Sequence, residues 1–325
     1  MRRRDFITLF GVAAAPFWPT VVHAQRPNEI YKVGLLGNSK QDTPESIASW
    51  DAFRSGLRDR GWVEGRNLVF VYRFAEGVAE RHPNNAQELL DSGVDLIVAT
   101  SGNAAFAAKR LTKTVPIVFA SIPNPVETEL VASLARPGGN VTGLTTLGLD
   151  MAGKRLEILK EGFPAVSRVA FLMSGRDVES DRSVYVSAEK LGLRLVPAQA
   201  SQAEELRNTI TETAETDAWF IGEEALFFSR RRTIIDTIAA QRKPAMYPST
   251  FFVDAGGLIS YSVAQRAQYR RLAALADRIM RGTSPADLPV EQPAEFELVI
   301  NMKTAKDLAI SIPQTLLFRA DRIIE

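Results

Sequence analysis

Small polar residues, and one glycine whose backbone no side chain covers, follow the apolar runs in the first half of the chain. They are the first candidates for chemistry. They stand after the runs 33–36, 94–99 and 115–120, and they are Asn38, Ser39, Ser101, Gly102, Ser121 and Asn124. If the runs are parallel strands, these residues lie at the carboxyl ends, where open α/β sheets bind ligands. Hydroxyls, carboxamides and free amides form hydrogen bonds with a ligand. The pattern therefore predicts a binding site.

The segment Asn124-Pro125-Val126-Glu127 has the order of residue types that begins a helix. Asparagine suits the N-cap, proline suits the first helical position and glutamate suits the third. We therefore predict a helix N-terminus at Asn124. Its free amides could accept a ligand carboxylate, or they could bind only water. Both interpretations stay open.

The second half of the chain offers candidates at equivalent strand ends, and these are Ser174, Glu223, Tyr247 and Tyr261. The two aromatic rings and the acidic pair Glu223 and Glu224 could face an amine or a ring of a ligand. Adjacent loop residues seldom point the same way, so an acid/base pair of carboxylates is disfavoured. The glutamates could equally be solvated, and the tyrosines could pack under loops.

Groups that carry catalysis are scarce in this chain. Cysteine is absent, and histidine occurs only at His23 and His82. His82 stands between Arg81 and Pro83, in a context typical of a solvated helix entry. The phosphate loop, the dinucleotide glycine fingerprint and the nucleophile elbow are all missing. We predict no cofactor, no metal site and no enzymatic activity.

The elements that would position these residues are short apolar runs that alternate with helical patterns. In the second half the runs are 169–173, 193–197, 218–221, 244–247 and 258–261. Continuous aliphatic runs indicate strands of parallel sheets that are covered on both faces. The chain has 325 residues, enough for two domains of ordinary size. The fold class predicted is α/β, with two doubly wound, Rossmann-like lobes.

One helix of the first half carries large aromatic residues at helical spacing. Ile47, Trp50, Phe53 and Leu57 recur at intervals of three and four residues, so they would share one face of the helix. Trp50 and Phe53 could stack on a ligand, but a periodic apolar face is more typical of a core.

Turn-forming residues indicate where the chain passes between the lobes. The turn 136–140 precedes the stretch 141–149, which lacks helical periodicity, and Thr145 within it is the candidate hinge residue. The Pro-rich stretch 285–293 indicates another crossing. The predicted division is a signal peptide at 1–24, a first lobe at 25–145 plus 262–289, and a second lobe at 146–261 plus 290–325.

The N-terminus has the pattern of an export signal. The basic cluster Arg2–Arg4 precedes the apolar stretch Phe6–Trp18, and Val22-His23-Ala24 suits a cleavage site. The pair Arg3-Arg4 followed by Asp, Phe and Ile resembles a twin-arginine signal. An N-terminal helix or an anchor is the alternative, but the stretch is shorter than the ~20 residues of a membrane span. We predict cleavage after Ala24 and a periplasmic protein without a membrane anchor.

Charge sets a limit on the partners. Lysine and arginine number 39 against 38 aspartates and glutamates, so the chain has no strong positive field for nucleic acid. Without cysteine it cannot carry a lipid-modified cysteine at the mature N-terminus. We expect a small-molecule ligand and no nucleic-acid partner.

Sequence motifs along nearly the whole chain resemble those of a known family. They lie at 3–7, 53–57, 61–67, 72–77, 132–143, 153–157, 255–258, 288–290, 296–301 and 303–306. Together they resemble the ABC transporter substrate-binding proteins related to tryptophan- and tyrosine-type binding components. The family often has Asp-Pro-Val where this chain has Asn124-Pro125-Val126, which removes a carboxylate there.

The resemblance implies a type I periplasmic binding fold, in which a three-strand hinge joins the lobes. It implies that a ligand enters the cleft between the lobes and that hinge closure presents it to the permease of an ABC-type importer. An amino acid or another small carboxylate, of aromatic type, would be the ligand. The alternatives are a ligand-sensing module for a membrane receptor or kinase and, less favoured, an enzyme on a Rossmann-like sheet.

Overall fold

A computed structural model describes residues 30–122, 124–146, 148–175, 178–213 and 215–325. The predicted signal peptide, 1–24, lies outside these residues. The described chain forms two sheets, one of five strands and one of seven, with helices packed against both.

The first sheet is built from five parallel strands in the order β2-β1-β3-β4-β5. Its strands are β1 (Tyr31–Gly37), β2 (Leu68–Phe74), β3 (Leu96–Ala99), β4 (Ile117–Ile122) and β5 (Val141–Thr145). The helices between them are α1 (Pro44–Arg58), α2 (His82–Asp91) and α3 (Gly102–Leu111). All four residues of β3 are buried, as expected for a strand covered on both faces.

The second sheet has the order β12-β11-β10-β9-β8-β6-β7. Its strands are β6 (Arg168–Met173), β7 (Arg194–Gln199), β8 (Ala218–Ile221), β9 (Ala245–Tyr247), β10 (Ile259–Val263), β11 (Phe296–Asn301) and β12 (Arg322–Ile324). Its helices are α4 (Gly148–Gly162), α5 (Val178–Lys190), α6 (Leu206–Glu212), α7 (Ala225–Ser229), α8 (Arg231–Ala239), α9 (Thr250–Asp254), α11 (Met302–Asp307) and α12 (Gln314–Leu317).

One helix that lies in sequence between two strands of the second sheet, β10 and β11, packs against the first sheet. The helix α10 (Gln265–Met280) contributes Leu272, Leu275 and Ala276 to the same core as Phe53 and Leu57 of α1. Chain order therefore does not follow lobe order, and the chain must return to the second sheet afterwards.

That return explains why one pair among the described strands departs from the predicted parallel sheets. β10 and β11 are antiparallel. β10 ends next to the crossing into α10, and the chain comes back at the same end, where Ala264 N donates to Glu295 O at 3.0 Å. A strand that starts beside the end of its neighbour must run in the opposite direction.

The described residues pass between the sheets three times: after β5, after β10 and before β11. The first and last passages are hydrogen-bonded to each other. Thr145 N donates to Glu291 O at 2.9 Å, and Glu291 N donates to Gly143 O at 3.0 Å. The predicted boundary at 261/262 falls within β10, and the lobe boundaries stay a prediction.

One expectation for local structure differs from the observed elements. Ile47 is 47% exposed, and the buried face of α1 instead begins at Ser49 and Trp50. The stretch 141–149, which shows no helical periodicity in the sequence, contains β5 and then the start of α4. Gly143 allows β5 to pair closely with β4, because a Cβ there would lie 2.2 Å from Phe119 O.

Candidate ligand-binding cleft

A cavity of about 420 Å³ lies between the two sheets. Five of the residues predicted from strand ends line it: Asn38, Ser39, Ser101, Gly102 and Glu223. Parallel strands end at a common edge, so β1 and β3 bring the first four together.

The N-terminus of α3 contributes one wall. Ser101 has an extended backbone and is the N-cap, where its hydroxyl accepts a hydrogen bond from Ala104 N at 3.2 Å. Gly102 is the first helical residue. Amides in the first turn of a helix have no intrahelical acceptor, so they favour an anionic or carbonyl group nearby.

Hydrogen bonds to its backbone N–H and to its backbone carbonyl hold Asn38 in place. Its N–H donates to Thr100 Oγ1 at 3.2 Å, and its carbonyl accepts from Gly77 N at 2.7 Å. Its side-chain Oδ1 lies 3.2 Å from Nε2 of His82. His82 is 1% exposed, so the prediction that it is solvated is wrong. Burial lowers the pKa of the His82 imidazole, which favours its neutral form.

The first turns of α1 form a second wall, which was not predicted from the sequence. Thr43 caps the helix, and Pro44 occupies a position in the first turn. Glu45, Ser46 and Ser49 line the cavity together with Trp50. A threonine followed by proline and glutamate is an N-cap pattern, and this signal could have placed a second helix N-terminus at the cleft.

Aromatic side chains cover the inner end of this wall. Trp50 makes edge contacts with Phe74 and Tyr269, with ring centroids 6.3 and 5.6 Å apart, and all three line the cavity. Trp50 is also part of the core, so both interpretations of this residue hold. Phe53 is fully buried and belongs to the core alone. Burial raises the pKa of Tyr269 to about 12, so its hydroxyl stays protonated.

Arg155 on α4 is the main polar group of the second lobe in the cavity. Its side chain is 5% exposed. Nε donates to Tyr261 O at 2.8 Å, and Nη2 donates to Pro248 O at 2.8 Å. Nη1 and Nη2 both donate to Glu223 Oε2, at 3.1 and 3.2 Å. The Glu223 side chain is 52% exposed, and this pair leaves its other oxygen, Oε1, available to the cavity.

The adjacent glutamates point to different partners, as expected for a loop. Glu223 pairs with Arg155, whereas Glu224 Oε1 accepts from Ser174 Oγ at 2.7 Å. Ser174 is buried and does not line the cavity. Thr145 is also buried, where its hydroxyl donates to Ile122 O at 2.8 Å, and its neighbour Thr146 lines the cavity.

The prediction that a helix begins at Asn124 is wrong. Asn124 is exposed, and residues 125–129 form turns instead of a helix. An N-cap residue needs an extended backbone, whereas Asn124 has a left-handed backbone with φ of 46°. Leu130 N donates to Pro125 O at 2.9 Å, and Glu129 is left-handed as well, with φ of 57°. Asn124 does not line the cavity, so its difference from the family's aspartate does not alter the cavity wall.

The remaining candidates are not among the cavity residues. Tyr247 is 2% exposed and stacks on Phe252 at 5.3 Å, and burial raises the pKa of its hydroxyl. The ring of Tyr261 stacks on Phe296, with ring centroids 5.9 Å apart. The link between Tyr261 and the site is its backbone carbonyl, which accepts a hydrogen bond from Arg155. The side chain of Ser121 lies outside the described residues.

The described part of the chain was searched for membrane-spanning helices and for metal-binding clusters. None of its helices is long and apolar enough to cross a membrane. No group of three or more histidine, aspartate and glutamate side chains there could hold a metal ion.

Two sheet-based lobes with a polar and aromatic cavity between them define a two-lobed ligand-binding protein. The model of the family described as "ABC transporter substrate binding protein" matches residues 42–324, and the chain belongs to that family. A curated relative, the tyrosine-binding protein of Clostridioides difficile, is 28% identical over 262 residues, which are 79% of this chain and 75% of that protein.

Solved structures agree with this assignment and with the predicted type I periplasmic binding fold. An ABC domain from Streptococcus pneumonia in complex with L-Trp superposes with a TM-score of 0.82 at 26% identity, covering 91% of this chain and all of the other. A conserved domain protein from Vibrio cholerae gives a TM-score of 0.82 at 27% identity with the same coverage.

Proposed function

We propose that this chain is the extracytoplasmic solute-binding component of an ABC-type importer and that its ligand is an α-amino acid with an aromatic side chain. The observation that carries the proposal is the chemical division of the cavity wall. The first lobe offers hydrogen-bond donors at the N-terminus of α3, and the second offers the carboxylate of Glu223, while Trp50, Phe74 and Tyr269 form the aromatic surface near them. The carboxylate that the first lobe adds to the wall, Glu45, is paired with Arg231.

The two polar walls suit the two charged groups of an amino acid. The amides at Ser101 and Gly102, with Asn38 and Ser39, suit a carboxylate because they offer donors at a helix N-terminus. Glu223 suits an ammonium group, because Arg155 holds one of its carboxylate oxygens and leaves the other available. Arg155 thus orients the Glu223 carboxylate.

The names of two relatives support the ligand class. The curated relative is named for tyrosine binding, and the Streptococcus structure holds L-Trp. The cavity of about 420 Å³ lies within the range of ~300–1,000 Å³ typical of small-molecule sites. The aromatic wall here would pack against the ring of such a ligand.

Binding would favour the closed form of two lobes that move about the strand crossings near Thr145. A ligand that contacts both lobes stabilises the closed form by the contacts that it makes only there. The lobes of this proposal are 25–145 with 262–289 and 146–261 with 290–325. The closed form would deliver the ligand to a permease in the cytoplasmic membrane.

The site suits binding and not turnover. His82, the one histidine in the described chain, forms its hydrogen bond with Asn38 and has no cavity serine as its partner. A serine nucleophile needs such a base within hydrogen-bond distance. Export by the predicted twin-arginine signal would place this binding protein in the periplasm.

Calorimetric titration of the purified chain with the twenty L-amino acids tests the proposal. We expect L-tryptophan or L-tyrosine to bind most tightly and to raise the melting temperature, since a ligand that binds only the folded form stabilises it. Aspartate, lysine and glucose are the controls. The proposal fails if no aromatic amino acid binds or if a sugar binds best.

A further inference from the structure

A buried histidine stands behind the cleft and contacts it through a single side chain. His82 begins α2 and is 1% exposed. Its Nε2 lies 3.2 Å from Oδ1 of Asn38, which lines the cavity. Its Nδ1 has no hydrogen-bond partner among the described residues. A buried ring nitrogen without a hydrogen-bond partner costs stability, so the presence of a histidine here needs a reason.

The tautomer of His82 follows from these contacts. Oδ1 of a carboxamide only accepts, so Nε2 must carry the proton and donate. Nδ1 is then an unprotonated acceptor without a partner. The other tautomer would bury an unpaired N–H, which is rarer in proteins than an unpaired acceptor. Burial also favours the neutral ring, as the lowered pKa of His82 indicates.

The hydrogen bond fixes which end of the Asn38 carboxamide faces the cavity. The Asn38 backbone is held by Thr100 and Gly77, so the side chain retains only its own rotation. With Oδ1 directed at His82, the amide nitrogen Nδ2 is the end left for a ligand, and no described residue accepts a hydrogen bond from it. A flipped Asn38 would present an acceptor instead.

We infer that His82 is a positioning residue that orients Asn38 as a hydrogen-bond donor, so that this part of the cleft selects ligands with an acceptor oxygen, such as a carboxylate. This inference rests on the proposed function and adds a residue to it. His82 does not touch the ligand. Its effect on affinity passes through Asn38, and the two residues act as one unit.

A double-mutant cycle tests that coupling with L-tryptophan as the probe. We expect His82→Leu and Asn38→Ala each to weaken binding roughly 3- to 10-fold, the effect of one hydrogen bond. The double variant should bind no more weakly than Asn38→Ala alone, because coupled residues are not additive. His82→Gln, whose amide can donate from a similar position, should recover most of the affinity. Additive losses, or equal losses for Gln and Leu, would overturn the inference.

Nitrogen NMR provides a test that needs no ligand. In the full chain with His23→Gln, the histidine signals belong to His82 alone. We expect His82 to be the Nε2–H tautomer at neutral pH. In Asn38→Ala, which lacks the acceptor Oδ1, we expect the ring to lose this preference for one tautomer. A charged ring or the Nδ1–H tautomer would contradict the inference. If no amino acid binds, the proposed function fails while this measurement still decides the orientation of Asn38.

Discussion

Arg231, the first residue of α8 in the second lobe, forms an ion pair with Glu45 in the first turn of α1 in the first lobe. Both side chains are partly buried, at 29% and 22% exposure. Nη1 of Arg231 also donates to Phe228 O at 3.1 Å, and Phe228 and Glu45 both line the cavity. The pair therefore joins the lobes at the cleft.

Removing this ion pair should shift the lobes toward the open form. We expect Glu45→Gln or Arg231→Gln to weaken the binding of L-tryptophan roughly 2- to 5-fold, since partly exposed pairs contribute up to about 1 kcal/mol. Titration calorimetry measures the affinity, and small-angle scattering measures the radius of gyration of the unliganded chain.

The control for that experiment is Arg319→Gln, which breaks an ion pair with Glu161 inside the second lobe. It should leave affinity unchanged. Reversing both charges, with Glu45→Arg and Arg231→Glu together, should recover part of the loss. An equal effect of the control would show that the cleft pair has no role in closure.

Arg155 is expected to stabilise the second lobe as well as the site. Arg155→Met removes donors to Tyr261 O, Pro248 O and Glu223, so one partly buried and one buried carbonyl lose a charged donor. We expect the free energy of unfolding to fall by about 2–4 kcal/mol. Denaturant unfolding followed by circular dichroism measures this change.

The neighbouring residue offers a matched control for Arg155. Lys154→Met removes an ion pair with Glu157 in which both side chains are 44–50% exposed. Exposed pairs contribute little, so the loss should stay under about 1 kcal/mol. Similar losses for both variants would mean that the hydrogen bonds of Arg155 do not stabilise the fold.

Glu223 should recognise the ammonium group of the ligand. We expect Glu223→Gln to weaken L-tryptophan binding roughly 10-fold or more, because a charged hydrogen bond contributes about 1.5–3 kcal/mol. Indole-3-propionate, which lacks the amino group, should lose no affinity. Glu224→Gln is the control, since Glu224 pairs with Ser174 away from the cavity. Equal losses for both ligands would exclude the ammonium contact.

Trp50 and Phe53 lie three residues apart on α1, but only Trp50 lines the cavity. We expect Trp50→Leu and Phe53→Leu each to lower the free energy of unfolding by about 1–3 kcal/mol, since both rings are packed in the same core. Only Trp50→Leu should also weaken L-tryptophan binding. Unchanged affinity in that variant would restrict Trp50 to a packing role.

Cavity residues at strand ends could be predicted from the sequence better than those on helices, because the two sets rest on different geometry. Asn38, Ser39, Ser101 and Gly102 follow parallel strands, whose carboxyl ends share an edge whatever their exact length. Arg155 and Glu45 project from helices, and their direction depends on how each helix is rotated on its sheet. His82 stands among polar residues, so its burial is a tertiary effect without a local pattern.

Some residues that were chosen because they end a predicted strand do not line the cavity. Side chains along a strand alternate between its two faces, so the last residue of a run can face away from the cleft. Tyr247 faces Phe252, and Tyr261 faces Phe296. The prediction for Asn124 was wrong for another reason. Its left-handed backbone is incompatible with an N-cap, and this backbone conformation could not be deduced from residue types alone.

The proposed route of export can be tested through the arginine pair. Replacing Arg3 and Arg4 together by Lys keeps the charge of the N-terminus but removes the paired guanidinium groups, and we expect the protein to accumulate in the cytoplasm with its first residues intact. Arg2→Lys is the matched control and should be exported normally. Cell fractionation with mass spectrometry of the N-terminus measures both outcomes and also tests cleavage after Ala24. Normal secretion of the double variant would refute the twin-arginine route, while the binding function proposed for the cleft would stand unaffected.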